Sequence, residues 1–141
     1  MNSVGFGGSG VFKSTDTGRT FTKLTSTDDG NFNTCWKIQV DPNNADVVYV
    51  GTGNRGFYKT SDGGTSWTKV FNTTRQINDV DVLPDGKVFI TAKGGGIYYS
   101  PSGESGTFTI INSNPLLTSG FDRIELAFCR DAYQNMYAAF S

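Results

Sequence analysis

The sequence contains no histidine, only two cysteines and four prolines among 141 residues, and no apolar run of about 18 residues. Each absence removes a class of function. Without histidine there is no His-based general acid–base catalysis and no His metal site within the chain. The cysteines, Cys35 and Cys129, cannot form a zinc cluster. By the repeat described below they fall on non-adjacent units, too far apart to bridge. They are therefore expected as two free, mostly buried thiols that pack as small hydrophobes. The missing apolar run excludes a membrane-spanning helix. Charge of one sign is missing too. The 12 basic and 13 acidic residues leave a net charge of −1 and form no basic stretch, which argues against nucleic acid as a partner. No cofactor motif is present. Gly94-Gly95-Gly96 joins two strand-like runs rather than opening a helix, so it reads as a hairpin turn and not as a phosphate cradle.

Repetition is what the sequence does have. Thr60-Ser61-Asp62-Gly63-Gly64-Thr65-Ser66-Trp67 and Ser14-Thr15-Asp16-Thr17-Gly18-Arg19-Thr20-Phe21 share one form, with the aspartates 46 residues apart. The flanks repeat at the same offset: Val47–Thr52 and Gly56–Thr60 match Val4–Phe6 and Gly10–Ser14. Val88–Ala92 and Gly96–Ser100 form a third register, and Asn135–Ser141 opens a fourth. A fixed period of this size marks stacked structural units. Within a unit, β-branched and aromatic runs alternate with Gly, Asn, Asp and Pro turns. The second repeat predicts strands at 35–40, 47–51, 56–60 and 66–71. The third predicts strands at 77–83, 87–92, 96–100 and 107–111. Such spacing indicates an all-β protein, and four strands in about 40–45 residues is the size of a propeller blade.

The eight-residue motif has a local physical role. Asp16 and Asp62 accept hydrogen bonds within their own turns. Gly18 and Gly64 can take positive φ. Ser14 and Thr60 open the turns, Thr20 and Ser66 add a hydroxyl, and Phe21 and Trp67 start the next strand with rings expected to be buried. A third copy, from Ser100 to Phe108, has Ser102 where the aspartate belongs and is one residue longer. Its turn should survive with weaker ties. This pattern resembles the Asp-box, or BNR repeat, of β-propellers such as sialidases, sortilin-type receptors, xyloglucanases and a photosystem assembly factor. The resemblance runs along nearly the whole chain and implies the fold rather than an activity. It places the boxes on the outer hairpins, away from the usual binding face, so Asp16 and Asp62 are structural rather than catalytic.

The expected architecture is an all-β propeller of four-stranded antiparallel blades. About three blades are present: the end of one at 1–27, full blades at 33–72 and 76–112, and the start of another at 123–141. Three blades do not close a ring, which takes about four to eight. The chain therefore reads as a segment of a larger propeller, with a ring closed by oligomerisation or part of a larger assembly as alternatives.

For chemistry, the carboxylates offer the only catalytic option. Asp79 and Asp81 lie two apart on a predicted first strand and so share a face, while Asp122 and Glu125 flank another first strand. A carboxylate pair at glycosidase spacing is conceivable, but none of the four matches the catalytic positions of the xyloglucanase-like family. Arg123-Ile124-Glu125 is at most a loose echo of the sialidase Arg-Ile-Pro. No catalytic residue is assigned. Aligning the turns at Pro42 and Pro84 sets Lys37 opposite Asp79 and Gln39 opposite Asp81 in a solvated row along the channel. It sets Ile38, Val40, Val80 and Val82 on a packed face. Phe32, Trp36, Phe121 and Arg123 are candidates for a binding rim, where aromatic rings stack on sugars or anchor peptides. The expected function is a non-catalytic recognition or scaffold module of a secreted or cell-surface, bacterial protein. It would engage a protein or glycan, or the rest of its own propeller, through the propeller face. The alternative is a fragment of a carbohydrate-active glycoside hydrolase of xyloglucanase or sialidase-like type. The Ser-, Thr-, Asn- and Gly-rich composition supports the extracellular setting. Asn72-Thr73-Thr74 is a glycan acceptor pattern in a loop between blades.

Overall fold

The computed structural model describes residues 10–111, 121–129 and 132–141, with the backbone alone for Ala132 and Tyr133. Twelve strands follow in order: β1 (Phe12–Lys13), β2 (Thr22–Lys23), β3 (Cys35–Asp41), β4 (Asn44–Thr52), β5 (Phe57–Thr60), β6 (Thr68–Phe71), β7 (Ile77–Val82), β8 (Val88–Ala92), β9 (Gly96–Ser100), β10 (Thr109–Ile110), β11 (Ile124–Cys129) and β12 (Ala132–Phe140). The one helical element among the described residues is a 3-10 turn at Thr25–Thr27. Strands β3–β4–β5–β6 form one four-stranded antiparallel blade and β7–β8–β9–β10 another, flanked by the two-stranded sheets β1–β2 and β11–β12. The chain is thus a partial β-propeller with β3, β7 and β11 as successive inner strands.

Turn chemistry sets the hairpins. Pro42 and Asn43 link β3 to β4, with Asp41 pairing Asn44 and its carboxylate accepting the Asn43 N–H at 2.8 Å. At the outer hairpin, Asp62 accepts the Ser66 N–H at 2.9 Å, the Ser66 hydroxyl at 2.6 Å and the Thr60 hydroxyl at 2.7 Å. Gly64 sits there at φ +93°. Asp16 repeats the pattern with Thr20 and Ser14. In the third copy the carboxylate is missing, and the turn is held by Ser100 and by Thr107, whose hydroxyl donates to the Glu104 carbonyl at 2.6 Å. The Ser100 hydroxyl accepts the Gly103 N–H at 2.7 Å and lies 2.6 Å from the Thr107 hydroxyl.

The cores lie between blades. Tyr49, Phe57 and Val70 pack against Ile77, Val80, Val82, Val88 and Ile90. Ile97 packs with Ile124 and Leu126 in the next interface. The box aromatics face the preceding unit: Phe108 meets Phe57 and Phe71. Trp67 meets Phe32 at 5.3 Å and is half-buried rather than fully enclosed.

Several expectations of burial are corrected, with one cause. Phe21 is 63% exposed, Ile38 50% and Val40 44%, and Cys35 is exposed. All four belong to faces that look toward the preceding unit. The matching residues one blade on are covered: Ile77, Val80 and Val82 are buried. Ahead of β3 stands only the β1–β2 pair, with no inner strand among the described residues to cover Cys35, Ile38 and Val40. Among the described residues, none ahead of β1 and β2 covers Phe21. Cys129 is likewise exposed rather than buried, near the end of β11, and both thiols are free.

Candidate functional site

The inner strands of the two full blades start with the same irregularity. Cys35 pairs with Thr52 and Lys37 with Gly51, leaving Trp36 as an extra residue. Ile77 pairs with Ala92 and Asp79 with Thr91, leaving Asn78 as its counterpart. A bulge of this kind re-aims a side chain at a sheet rim. Trp36 is 56% exposed as a result. Asn78 is buried, accepting from the Gln76 side-chain amide at 2.7 Å and donating to the Asp122 carbonyl at 2.8 Å.

Together these residues enclose a cleft of 170 Å³ lined by Trp36, Lys37, Gln76, Asn78, Asp122 and Arg123. One aromatic wall faces amide and charged groups. Asp122 and Arg123 are held at the rim by a three-point backbone contact with Ser141. The Lys93 ammonium lies 3.3 Å from Asp122, and Arg123 pairs with Glu125. Phe121 is half-buried against Phe140 at 4.7 Å and accepts the Gly94 N–H through its carbonyl, so it braces the rim rather than presenting a free ring.

Of the four rim candidates, Trp36 and Arg123 reach the cleft. Phe32 does not, and its assignment to the rim is corrected. It is 1% exposed, packed at a tilt between Tyr58 at 4.9 Å and Trp67 at 5.3 Å. Phe32 lies before the strand, in a loop that folds back onto the blade, so its ring completes the core. Gln76, Asn78 and Lys93 are cleft or rim residues that sequence reasoning did not single out. The register that sets Lys37 opposite Asp79 also sets Trp36 opposite Asn78, and that was the available signal.

Below the cleft lies the Lys37 and Asp79 pair, with Nζ and Oδ1 2.7 Å apart. The expected pairing is present, but the solvated setting is not: Asp79 is 3% exposed. Its second oxygen accepts the Leu126 N–H at 2.8 Å, and its first also accepts the Val80 N–H at 3.0 Å. Asp79 therefore ties β3, β7 and β11 together at one level. The hydrogen bond to Asp79 raises the Lys37 pKa and holds the ammonium charged. Asp81, two residues on, is half-buried and its Oδ2 has no hydrogen-bond partner. Burial, and then the neighbouring Asp79 charge, push its pKa up to about 6. Gln39 turns its amide to the Val40 carbonyl at 3.3 Å. Asp16 and Asp62 stay in their outer turns, where hydroxyl and amide donors hold both carboxyls well below the usual range. Among the described residues no group of three or more Cys, Asp or Glu side chains is placed to hold a metal ion. No described helix is long and apolar enough to cross a membrane.

No protein-family model and no curated protein matches the chain. Solved structures do. An ancestral GH74 enzyme superposes on 92% of this chain with a TM-score of 0.73 at 18% identity. A GH74 enzyme from Niastella koreensis superposes on 93% with a TM-score of 0.70 at 30% identity. The chain spans 18% and 22% of those two proteins, about a fifth of each. GH74 enzymes are β-propeller glycoside hydrolases, and the likeness agrees with the blade-by-blade description above: this chain folds as part of a β-propeller.

Proposed function

We propose that the chain is a glycan-recognition part of a propeller, binding sugar in the cleft at the head of its inner strands. The observation that carries this reading is Trp36. A bulge places a large ring 56% exposed beside amide and charged side chains, which is how a protein stacks on a pyranose face while bonding its hydroxyls. The 30% identity to the Niastella koreensis GH74 enzyme supports a carbohydrate ligand. We read the outer hairpins as Asp-boxes, the parent protein as secreted or cell-surface, and this part as non-catalytic. Protein partners on the same face are the other side of that recognition reading.

Glycosidases of the usual type need two carboxyl groups about 5–10 Å apart across the bond, one of them free to donate a proton. Here Asp79 is bonded on both oxygens, and Asp122 and Glu125 pair with cations. Asp81 is the one observation favouring the alternative, a fragment of a glycoside hydrolase, because an acid with a pKa near 6 suits proton donation.

The test is titration of the chain with neutral β-linked oligosaccharides, read by tryptophan fluorescence and calorimetry, with reducing-sugar release measured in parallel. Binding that Trp36→Ala abolishes while leaving the circular dichroism unchanged is the expected result. Binding unaffected by Trp36→Ala overturns the site. Sugar release lost in Asp81→Asn overturns the non-catalytic reading.

A further inference from the structure

Trp36 and Gly53 are matched across the first two strands of their blade. Just past the end of β4, the Gly53 N–H donates to the Thr34 carbonyl at 2.8 Å. One blade on, the Lys93 N–H donates to the Gln76 carbonyl at 2.9 Å. Positions 53 and 93 are therefore the same place in the repeat, and each lies beside the bulge of its inner strand, at Trp36 or at Asn78. That place accepts lysine in the next blade, and the Gly53 φ lies outside the left-handed region. The backbone does not require glycine there.

What glycine supplies is space. A Cβ at position 53 would lie 3.1 Å from Nε1 of Trp36. That is inside the roughly 3.5–4.0 Å of ordinary contact between nonbonded atoms. The Nε1 edge of the ring thus rests on bare backbone, a close approach of the kind that keeps glycine in a strand. We infer that Gly53 is a positioning residue for the cleft: it seats the Trp36 ring, and the two residues work as a pair. The next blade holds the converse pair. There the short Asn78 amide turns in to Gln76 and the Asp122 carbonyl, and Lys93 stands exposed with its ammonium 3.3 Å from Asp122.

This role rests on the sugar-site reading of the cleft and fixes the aromatic wall of that site. A bulge turns Trp36 outward, but an outward indole still has several rotamers open to it. Contact of one edge with Gly53 selects among them. The selected position leaves the 170 Å³ cleft open between the ring and the Gln76, Asn78 and Asp122 groups. A side chain at position 53 takes the seat from the ring. Thr34 lies against the same place, its Cγ2 at 3.1 Å and its Cβ at 3.3 Å from where that Cβ would stand. A test must therefore separate the ring from Thr34.

The full chain carrying Trp67→Phe keeps Trp36 as its one tryptophan and serves as the parent. Gly53→Lys gives this blade the residue that the next one carries. It should shift the Trp36 emission and change its quenching by acrylamide. It should also weaken binding of neutral β-linked oligosaccharides at least about tenfold, the scale of one lost stacking contact. Urea unfolding supplies the second readout. Gly53→Lys should lower the midpoint beside Trp36 and leave it unchanged in a Trp36→Asn background, where the pair matches that of the next blade. Unchanged emission and quenching overturn the inference, and so does sugar binding at the parent level in Gly53→Lys. An equal loss of midpoint in both backgrounds overturns it too, because the glycine then serves Thr34 or the backbone. A parent that binds none of the sugars overturns the sugar-site reading alone, while the spectra and midpoints still decide whether Gly53 seats the ring.

Discussion

Replacing Asp79 tests whether one buried carboxylate fastens three consecutive units. In Asp79→Ala the Lys37 ammonium loses its partner, and the Leu126 N–H loses its acceptor. A buried donor left unsatisfied costs about 1–3 kcal/mol. Breaking a buried ion pair by removing one partner costs about 3–5 kcal/mol in full burial. Lys37 has 39% side-chain exposure and can turn toward water, which discounts the second figure. The expected loss is therefore about 3–4 kcal/mol in total, with the Leu126 term undiminished because that amide is enclosed. With a urea slope of about 2 kcal/mol/M, the unfolding midpoint falls by roughly 1.5–2 M at fixed protein concentration. Asp79→Asn keeps one acceptor oxygen for the Leu126 N–H but puts its amide NH2, a donor, where the other oxygen accepted from Lys37 and Val80, so it should recover only part of the loss seen in Asp79→Ala. Amide hydrogen exchange supplies the local readout: Leu126 should lose protection in Asp79→Ala and retain most of it in Asp79→Asn. A loss below about 1 kcal/mol, or unchanged Leu126 exchange in Asp79→Ala, refutes the bridging role.

Three further outcomes are expected. Asp81 has a folded pKa raised to about 6, so its contribution favours the fold below the unfolded value near 4 and is lost as pH rises through 6. Asp81→Asn should thus stabilise the protein by about 1–2 kcal/mol at pH 7 and scarcely at pH 4, measured by denaturant titration at both pH values. Asp16 and Asp62 have depressed folded values, about 2 for Asp16, so their contribution is present above pH 4 and lost as pH falls toward 2. The double variant Asp16→Asn, Asp62→Asn should flatten thermal stability across that window, and an unchanged slope would count against the turn bonds. Phe32→Ala should cost about 3–5 kcal/mol because its ring is enclosed, whereas Phe21→Ala should cost under about 1 kcal/mol because its ring is exposed, both read from urea midpoints.

The sequence by itself determined the repeat, the four-strand unit and the hairpin chemistry, because these depend on contacts within a few residues. Asp62, Thr60 and Ser66 lie in one turn, so their spacing already dictates their bonds. The pairing of Lys37 with Asp79 was legible too, since a 42-residue register shift maps one inner strand on the next. What only the tertiary structure decided is which faces are covered. Period-two alternation marks Ile38 and Val80 as the same kind of residue, yet one is 50% exposed and the other 1%, because a neighbouring unit covers only the second. Phe32 and Trp36 are both aromatics at the head of one strand. A folded-back loop sends the first into the core, and an extra residue in the ladder turns the second outward. The same bulge makes Asn78 the counterpart of Trp36, and the cleft follows from bringing the two together with Asp122 and Arg123, residues more than 40 positions further along the chain. Strand patterns are local, whereas cover and convergence belong to the packing of one blade on the next.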